Sequence, residues 1–315
     1  MFVKKSEVYR GRTATVIDGL GYMSLTDTLE CGQAFRYERL VSEDGYVEYL
    51  TVAYGMLINV GQRREGELIF YDEWTEEYAA AVSKYFCFDT DFEAIRQDII
   101  SRTDSEWLKE AAEVAKGIVI LKQDPWETLF SFIVSQNNNI PRIRKIIRSI
   151  CSEYGENLSA AAELSSCPLP HNNCVPGCDE CKGCGICYSF PTASQVLDNP
   201  DGLLPSHPGF RYKYLIDAAK RVSEGSVSLT EIEEKASYDY TVERLKEILG
   251  VGDKVASCVA LFGFANLEAF PIDVWMKRAI DTYFDGRLDP TSLGSYAGVA
   301  QQYIFHYIRN LQGDD

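Results

Sequence analysis

Lys254 and Cys258 stand four residues apart, a spacing that puts both side chains on one face of a helix. A lysine pressed against an apolar face gives up its proton more readily, because desolvation disfavours the charged form, and a neutral amine is a nucleophile. Asp273 comes nineteen residues after Lys254, behind Pro271 and Ile272 and ahead of VWMKRAIDTYF. That is the position of a helix N-cap, where backbone amides and the helix dipole keep a carboxylate ionised and able to face a developing cation. Upstream, Leu249-Gly250-Val251-Gly252 separates a helix ending at Leu249 from one beginning near Asp253, a helix, tight turn, helix unit. Such a turn points N–H groups outward at the start of the second helix and attracts a phosphate without any basic side chain. A lysine in a first turn is usually solvated and an aspartate before a helix is usually only a cap. Their occurrence together with the glycine turn, in this order, is what points to chemistry.

A second group of reactive residues lies between 167 and 187, CPLPHNNCVPGCDECKGCGIC, which holds six of the ten cysteines and His171 without apolar periodicity. Cys178, Cys181, Cys184 and Cys187 recur every third residue, with Cys174 and Cys167 before them. In a protein that is not exported, such clustering favours metal thiolates over disulfides, since cytosolic thiols are kept reduced. Two CxxC units could clamp a zinc ion, and three cysteines in close succession also hold iron–sulfur clusters. The expected ligands are Cys174, Cys178, Cys181, Cys184 and Cys187. The expected role is structural, because so many thiolates leave no open coordination position.

The elements that must position these groups divide into two regions. From about residue 10 to 72, apolar and polar positions alternate in TATVIDGL, QAFRYERL, YVEYLTVAY, MLINV and ELIFYDE, separated by turn formers, which predicts antiparallel strands. Near residue 75 the spacing becomes helical, and after Gly117 it is almost entirely so, with Asp124 and Pro125 forming one helix start. The expected fold class is α+β: an N-terminal antiparallel sheet domain with helices over residues 1–115, then an all-helical domain over 116–315 carrying the cysteine insert. With 315 residues, 46% hydrophobic and 25% charged, the chain is neither disordered, collagen-like nor a coiled coil. No run of 18 apolar residues and no signal-peptide pattern occurs, so a cytoplasmic protein without membrane contact is expected. The balance of 31 basic against 47 acidic residues, net −16, argues against nucleic acid unless main-chain amides supply the anion grip.

The hairpin glycines Gly250 and Gly252, with Lys254 and Asp273, resemble the helix-hairpin-helix, Gly-Pro-Asp superfamily of DNA glycosylases. Four further segments are similar to its 8-oxoguanine DNA glycosylase branch: CGQAFRY at 31–37, QDPWETLFSFIVSQNNNIPRI at 123–143, GFRYKYL at 209–215 and YAGVAQQYIF at 296–305. The resemblance covers nearly the whole chain except the cysteine insert. It implies that Lys254 attacks the anomeric carbon, expels the oxidised base and forms a Schiff base, after which elimination nicks the strand, and that Asp273 stabilises the oxocarbenium-like transition state. It implies a pocket for a flipped base with Phe305 on one face, Cys258 on the other, Gln301 at the edge and the Gly32 carbonyl accepting the N7 hydrogen that 8-oxoguanine carries and guanine lacks. Leaving that one hydrogen bond unmade costs about 1–3 kcal/mol. By the same resemblance Asn137, Arg142 and Arg211 read the estranged cytosine and Phe210 is the wedge beside it. Arg144, Lys145 and Arg148 add a local basic stripe next to Arg142.

The resemblance thus implies a bifunctional glycosylase and lyase on double-stranded DNA, with no cofactor for catalysis and a monomer as the simplest state. A glycosylase for another damaged purine, or a metal-bearing, non-catalytic sensor of DNA damage or redox state, are the alternatives. Three departures bear on the grip on the DNA backbone: Trp275 stands where histidine is common, Leu249 replaces a proline before the hairpin and Cys31 replaces a serine.

Overall fold

The computed structural model describes residues 3–158 and 185–312. Six strands, β1 (Val3–Tyr9), β2 (Arg12–Asp18), β3 (Tyr37–Glu43), β4 (Tyr46–Ala53), β5 (Met56–Gln62) and β6 (Glu67–Phe70), form one antiparallel sheet in the order β1-β2-β6-β5-β4-β3. The outermost strand, β1, starts before the expected sheet region. Its sequence VKKSEVY is largely exposed and lacks the apolar alternation by which the other strands are recognised. The start of QAFRYERL is not strand: residues 31–36 are a loop that β3 leaves at Tyr37. The central strands are buried on both sides rather than one, with Ala14 to Ile17 of β2 continuously inside. On one side Ile17, Tyr49, Ile58, Leu68 and Phe70 pack against α1 (Leu25–Glu30) and α2 (Glu76–Tyr85). On the other, Leu50, Val52 and Leu57 are covered by Ile186 and Cys187.

The helices that follow are α3 (Phe92–Ser101), α4 (Glu106–Val114), α5 (Pro125–Ser135), α6 (Ile140–Tyr154), α7 (Ala193–Asp198), α8 (Tyr212–Ser223), α9 (Leu229–Lys235), α10 (Tyr238–Leu245), α11 (Asp253–Phe264), α12 (Val274–Tyr283) and α13 (Ala297–Gln312). They build the larger core, in which α5 and α11 are apolar nearly all round and lie at the centre. Close approach of these two is set by Gly263, whose missing Cβ leaves room for Pro125 Cα and Thr128 Cβ, each 3.3 Å from where it would stand. Asp124 caps α5 by accepting from Glu127 N at 2.9 Å, as Asp-Pro predicts. The turn before α11 is longer than expected, because α10 stops at Leu245 rather than Leu249.

Among the described residues no helix is long and apolar enough to cross a membrane. Cys167, His171, Cys174, Cys178, Cys181 and Cys184 lie outside the described residues. The two ends of that segment are joined: Leu158 N donates to Cys187 O at 2.7 Å and Asn157 pairs with Tyr188.

Candidate active site

Lys254 enters on the first turn of α11, directly after the glycine turn. Its Nζ is 5.3 Å from the centroid of Phe132 on α5 and it is hydrogen-bonded to the Cys258 thiol one turn later. Lys254 is half-buried and Cys258 buried. Burial pushes the Cys258 thiol up, against the opposing pull of Lys254, so the sulfur stays protonated near neutral pH. Asp273 is the cap expected of it: its Oδ1 accepts from Met276 N at 2.8 Å at the start of α12, and its charge is felt at Cys258. An amine over an aromatic ring, a thiol hydrogen-bonded to it and a fixed carboxylate whose charge reaches that thiol therefore lie in one neighbourhood.

The aromatic ring under Lys254 connects to the loop before β3. Phe132 meets Phe35 edge-on at 5.5 Å, and Phe35 is three residues from Gly32. Gly32 has φ +91°, and a Cβ built there would lie 3.3 Å from Ile140 Cδ1 and 3.4 Å from Phe305 Cε1. The positive φ favours glycine, and a side chain there would press on Ile140. Phe305 and Gln301 stand one turn apart on α13, with Gln301 buried and Phe305 partly open beneath the Arg309 guanidinium. The structure thus brings Gly32 against Phe305 and Lys254 against Cys258, with the Asp273 charge reaching the same thiol.

The Gly32 loop owes its shape to Gln33, to which the sequence reading gave no role. Its fully buried amide donates to Thr28 O and Val119 O and accepts from Leu121 N, all within 2.9 Å, while Gln123 Nε2 holds its carbonyl. Every polar atom of Gln33 is used, which locks the loop. The neighbouring Cys31 is buried, its thiol pushed up to about 12, and is inert as a nucleophile. Five residues on, buried Arg36 pairs with Glu127 at 3.0 Å and donates to the carbonyls of Ile186 and Tyr188. It ties the loop to α5 and to the returning end of the segment that holds the cysteines. The motif CGQAFR contained both residues, but a glutamine and an arginine read as surface until their burial is known.

The hairpin and the wedge share a support. Gly250 has φ +80° and rests on the Tyr214 ring, where a Cβ would come within 2.5 Å of Cγ. Tyr214 in turn meets Phe210 edge-on at 6.0 Å, and Phe210 is half exposed. Gly252 is open and caps α11 with its backbone alone, so the first amides of that helix face outward. Exposed Leu249, Ile272 and Val274 flank this end.

Asn137 is exposed with φ +48°, at the turn between α5 and α6. Arg211 is 3% exposed and donates Nε and Nη2 to Gln136 O, Nη2 to Asn137 O at 2.8 Å and Nη1 to Pro208 O at 3.2 Å. Of the five N–H donors of its guanidinium, one remains, and burial lowers its affinity for the proton, with the nearby Arg142 charge adding to the effect. Arg142 itself is exposed. Of the expected basic stripe only Lys145 is exposed beside it. Arg144 and Arg148, one turn apart on α6, both bind the Glu38 carboxylate and Tyr37 O, so the sheet takes their charge. Trp275 carries the Arg278 guanidinium 5.0 Å over its ring. Among the described residues no group of three or more His, Cys, Asp or Glu could hold a metal ion. Cys187, one of the expected ligands, is buried beside Ile186 under the sheet.

Comparison with known proteins identifies the fold and the family. Residues 20–129 match the family model of the 8-oxoguanine DNA glycosylase N-terminal domain. The solved structure of MBOgg1 in complex with a low affinity DNA ligand is 31% identical, with TM-score 0.79 over 98% of this chain and 100% of that one. The 8-oxoguanine glycosylase/lyase of Clostridium acetobutylicum, bound to double-stranded DNA with cytosine opposite 8-oxoguanine, is 29% identical with TM-score 0.78 over 99% of both chains. The N-glycosylase/DNA lyase of Saccharomyces cerevisiae is 28% identical over 284 residues, 81% of this chain and 67% of the yeast protein. In fold and sequence, the chain belongs to the 8-oxoguanine DNA glycosylase/lyase family.

Proposed function

We propose that the protein removes 8-oxoguanine paired with cytosine from duplex DNA and then cuts the strand at the abasic sugar. The observation that carries this reading is the Lys254 amine over Phe132, hydrogen-bonded to the Cys258 thiol that also feels the Asp273 carboxylate, at the foot of a helix whose free amides face outward. The hairpin amides around Gly250 and Gly252 hold a backbone phosphate, and Phe210 fills the gap left by the extruded nucleotide. The flipped base lies between Phe305 and Cys258, with Gln301 at its Watson–Crick edge and the Gly32 carbonyl accepting N7–H. Arg142, Asn137 and the remaining Arg211 donor meet the estranged cytosine.

As the bond from C1′ to N9 lengthens, the Asp273 carboxylate opposes the positive charge growing on the sugar. The Lys254 amine bonds to C1′ through its nitrogen lone pair and the base departs with the electron pair of the broken bond. Opening of the sugar moves a proton to O4′ and leaves a Schiff base between Lys254 and C1′. Loss of a proton from C2′ then expels the 3′ phosphate. All groups in this sequence belong to the protein and the DNA.

The cysteine segment is proposed to hold a structural zinc ion or iron–sulfur cluster through Cys174, Cys178, Cys181, Cys184 and Cys187, which the density and spacing of the thiols support. The protein is proposed to act as a monomer on the chromosome in the cytoplasm. The test is to incubate purified protein with end-labelled duplex carrying 8-oxoguanine opposite cytosine. Free 8-oxoguanine and a nicked strand without alkali are expected. Intact strand and no released base would overturn the reading.

A further inference from the structure

Gln302 has no place in the mechanism above, yet it is buried beside the base-edge residue. Neighbours on a helix point about 100° apart. Gln302 nevertheless turns its amide back, and its Nε2 donates to Gln301 Oε1 at 2.7 Å. Both side chains are buried, at 4% and 3% exposure. Gln302 Oε1 is itself buried without a partner. An amide with an orphaned oxygen is less stable there than an apolar side chain of the same size, so the donor must serve a purpose that a methionine could not.

A side-chain amide can face a pocket in two orders. With Gln302 donating to its Oε1, Gln301 holds its oxygen toward the helix neighbour, and among the described residues its Nε2 has no protein acceptor. In that order Nε2 donates to O6 of a 6-oxopurine, and the second lone pair of Oε1 accepts its N1–H. A 6-aminopurine presents the reverse, a donor at N6 and an acceptor at N1, and fits only the flipped amide. The Gly32 carbonyl does not separate the two, because 8-oxoguanine and 8-oxoadenine both carry a hydrogen on N7.

We propose that Gln302 is a positioning residue that locks the Gln301 amide and so confines the pocket to 6-oxopurines, favouring 8-oxoguanine over 8-oxoadenine; this rests on Gln301 being the base-edge reader. The experiment is single-turnover excision from duplexes that differ only in 8-oxoguanine or 8-oxoadenine opposite cytosine. The ratio of the two rates on one preparation cancels any difference in the folded fraction. In Gln302→Met, a change of similar volume, the ratio falls about tenfold, the worth of one net hydrogen bond. In Gln302→Glu the ionised carboxylate only accepts, draws Gln301 Nε2 toward itself and turns Oε1 outward. The preference then moves toward 8-oxoadenine, and returns as the pH falls and the carboxyl regains a hydrogen to donate. In a Gln301→Ala background Gln302→Met leaves the ratio unchanged, which a general loosening of the helix would not do. Wild-type ratios in both Gln302 variants, with a low ratio in Gln301→Ala, overturn the lock alone. A wild-type ratio in Gln301→Ala removes the reader and the lock together.

Discussion

Arg36→Met isolates the contribution of the buried ion pair beneath the lesion loop. The Arg36 side chain is 3% exposed and its partner Glu127 17%, at 3.0 Å, and the guanidinium also holds the Ile186 and Tyr188 carbonyls. Removing one member of a buried pair leaves the other charge uncompensated and costs about 3–5 kcal/mol. For a chain of this length each kcal/mol lowers the midpoint by about 2 °C, so the expected drop is roughly 8 °C. The loss must depend on pH in a definite sense. Burial already raises the Glu127 carboxyl, with Arg36 opposing, and without Arg36 the folded-state value rises further above the unfolded value of about 4.3. A carboxyl raised in the folded state makes that state the stronger proton binder, so stability falls as pH rises through this window and recovers as pH falls. Thermal unfolding of wild type, Arg36→Met and Arg36→Met/Glu127→Leu at about pH 5 and about pH 8 reads this directly. The single variant's deficit should be greater at the higher pH, and the double variant should regain much of it at both. A deficit below about 1 kcal/mol, one that does not change with pH, or a double variant no better than the single would refute the reasoning.

Three further expectations use other parts of the site. Asp273→Asn keeps a good N-cap, so the melting temperature should hold while single-turnover excision falls about 10²-fold with the charge; equal losses in stability and rate would make Asp273 only a cap. Gly250→Ala drives a Cβ to 2.5 Å from Tyr214 and strains a φ of +80°, so affinity for undamaged duplex, measured by fluorescence anisotropy, should fall about tenfold. Unchanged affinity would remove the hairpin from the DNA interface. Arg211→Lys keeps the charge but cannot span the Gln136 and Asn137 carbonyls, so the preference for cytosine over the other opposing bases should relax about tenfold, and full retention would end that assignment.

Two of the candidate site positions were legible because they are marked by backbone requirements. Asp273 sits where only a cap fits, and Gly250 where only glycine fits, so both could be placed without coordinates. The segments that form α5 and α11 were likewise read as helices, although their place at the centre of the core was not. What escaped was decided by tertiary burial. Gln33, Arg36 and Gln302 are polar residues whose role exists only because they are inside, and nothing local in their sequence says so. Strand β1 escaped for the opposite reason, being an edge strand that buries little and so carries no apolar signal. Arg144 and Arg148 misled, since a basic stripe on a helix looks the same whether it faces phosphate or the Glu38 carboxylate.

The central claim is that the Lys254 amine bonds covalently to the sugar. Borohydride present during incubation with duplex containing 8-oxoguanine opposite cytosine reduces such a Schiff base to a stable link. Wild type should give a protein–DNA adduct, mapped to Lys254 by peptide mass, and Lys254→Gln should give none. Base release without any trapped adduct, or an adduct of equal yield in Lys254→Gln, would contradict the claim.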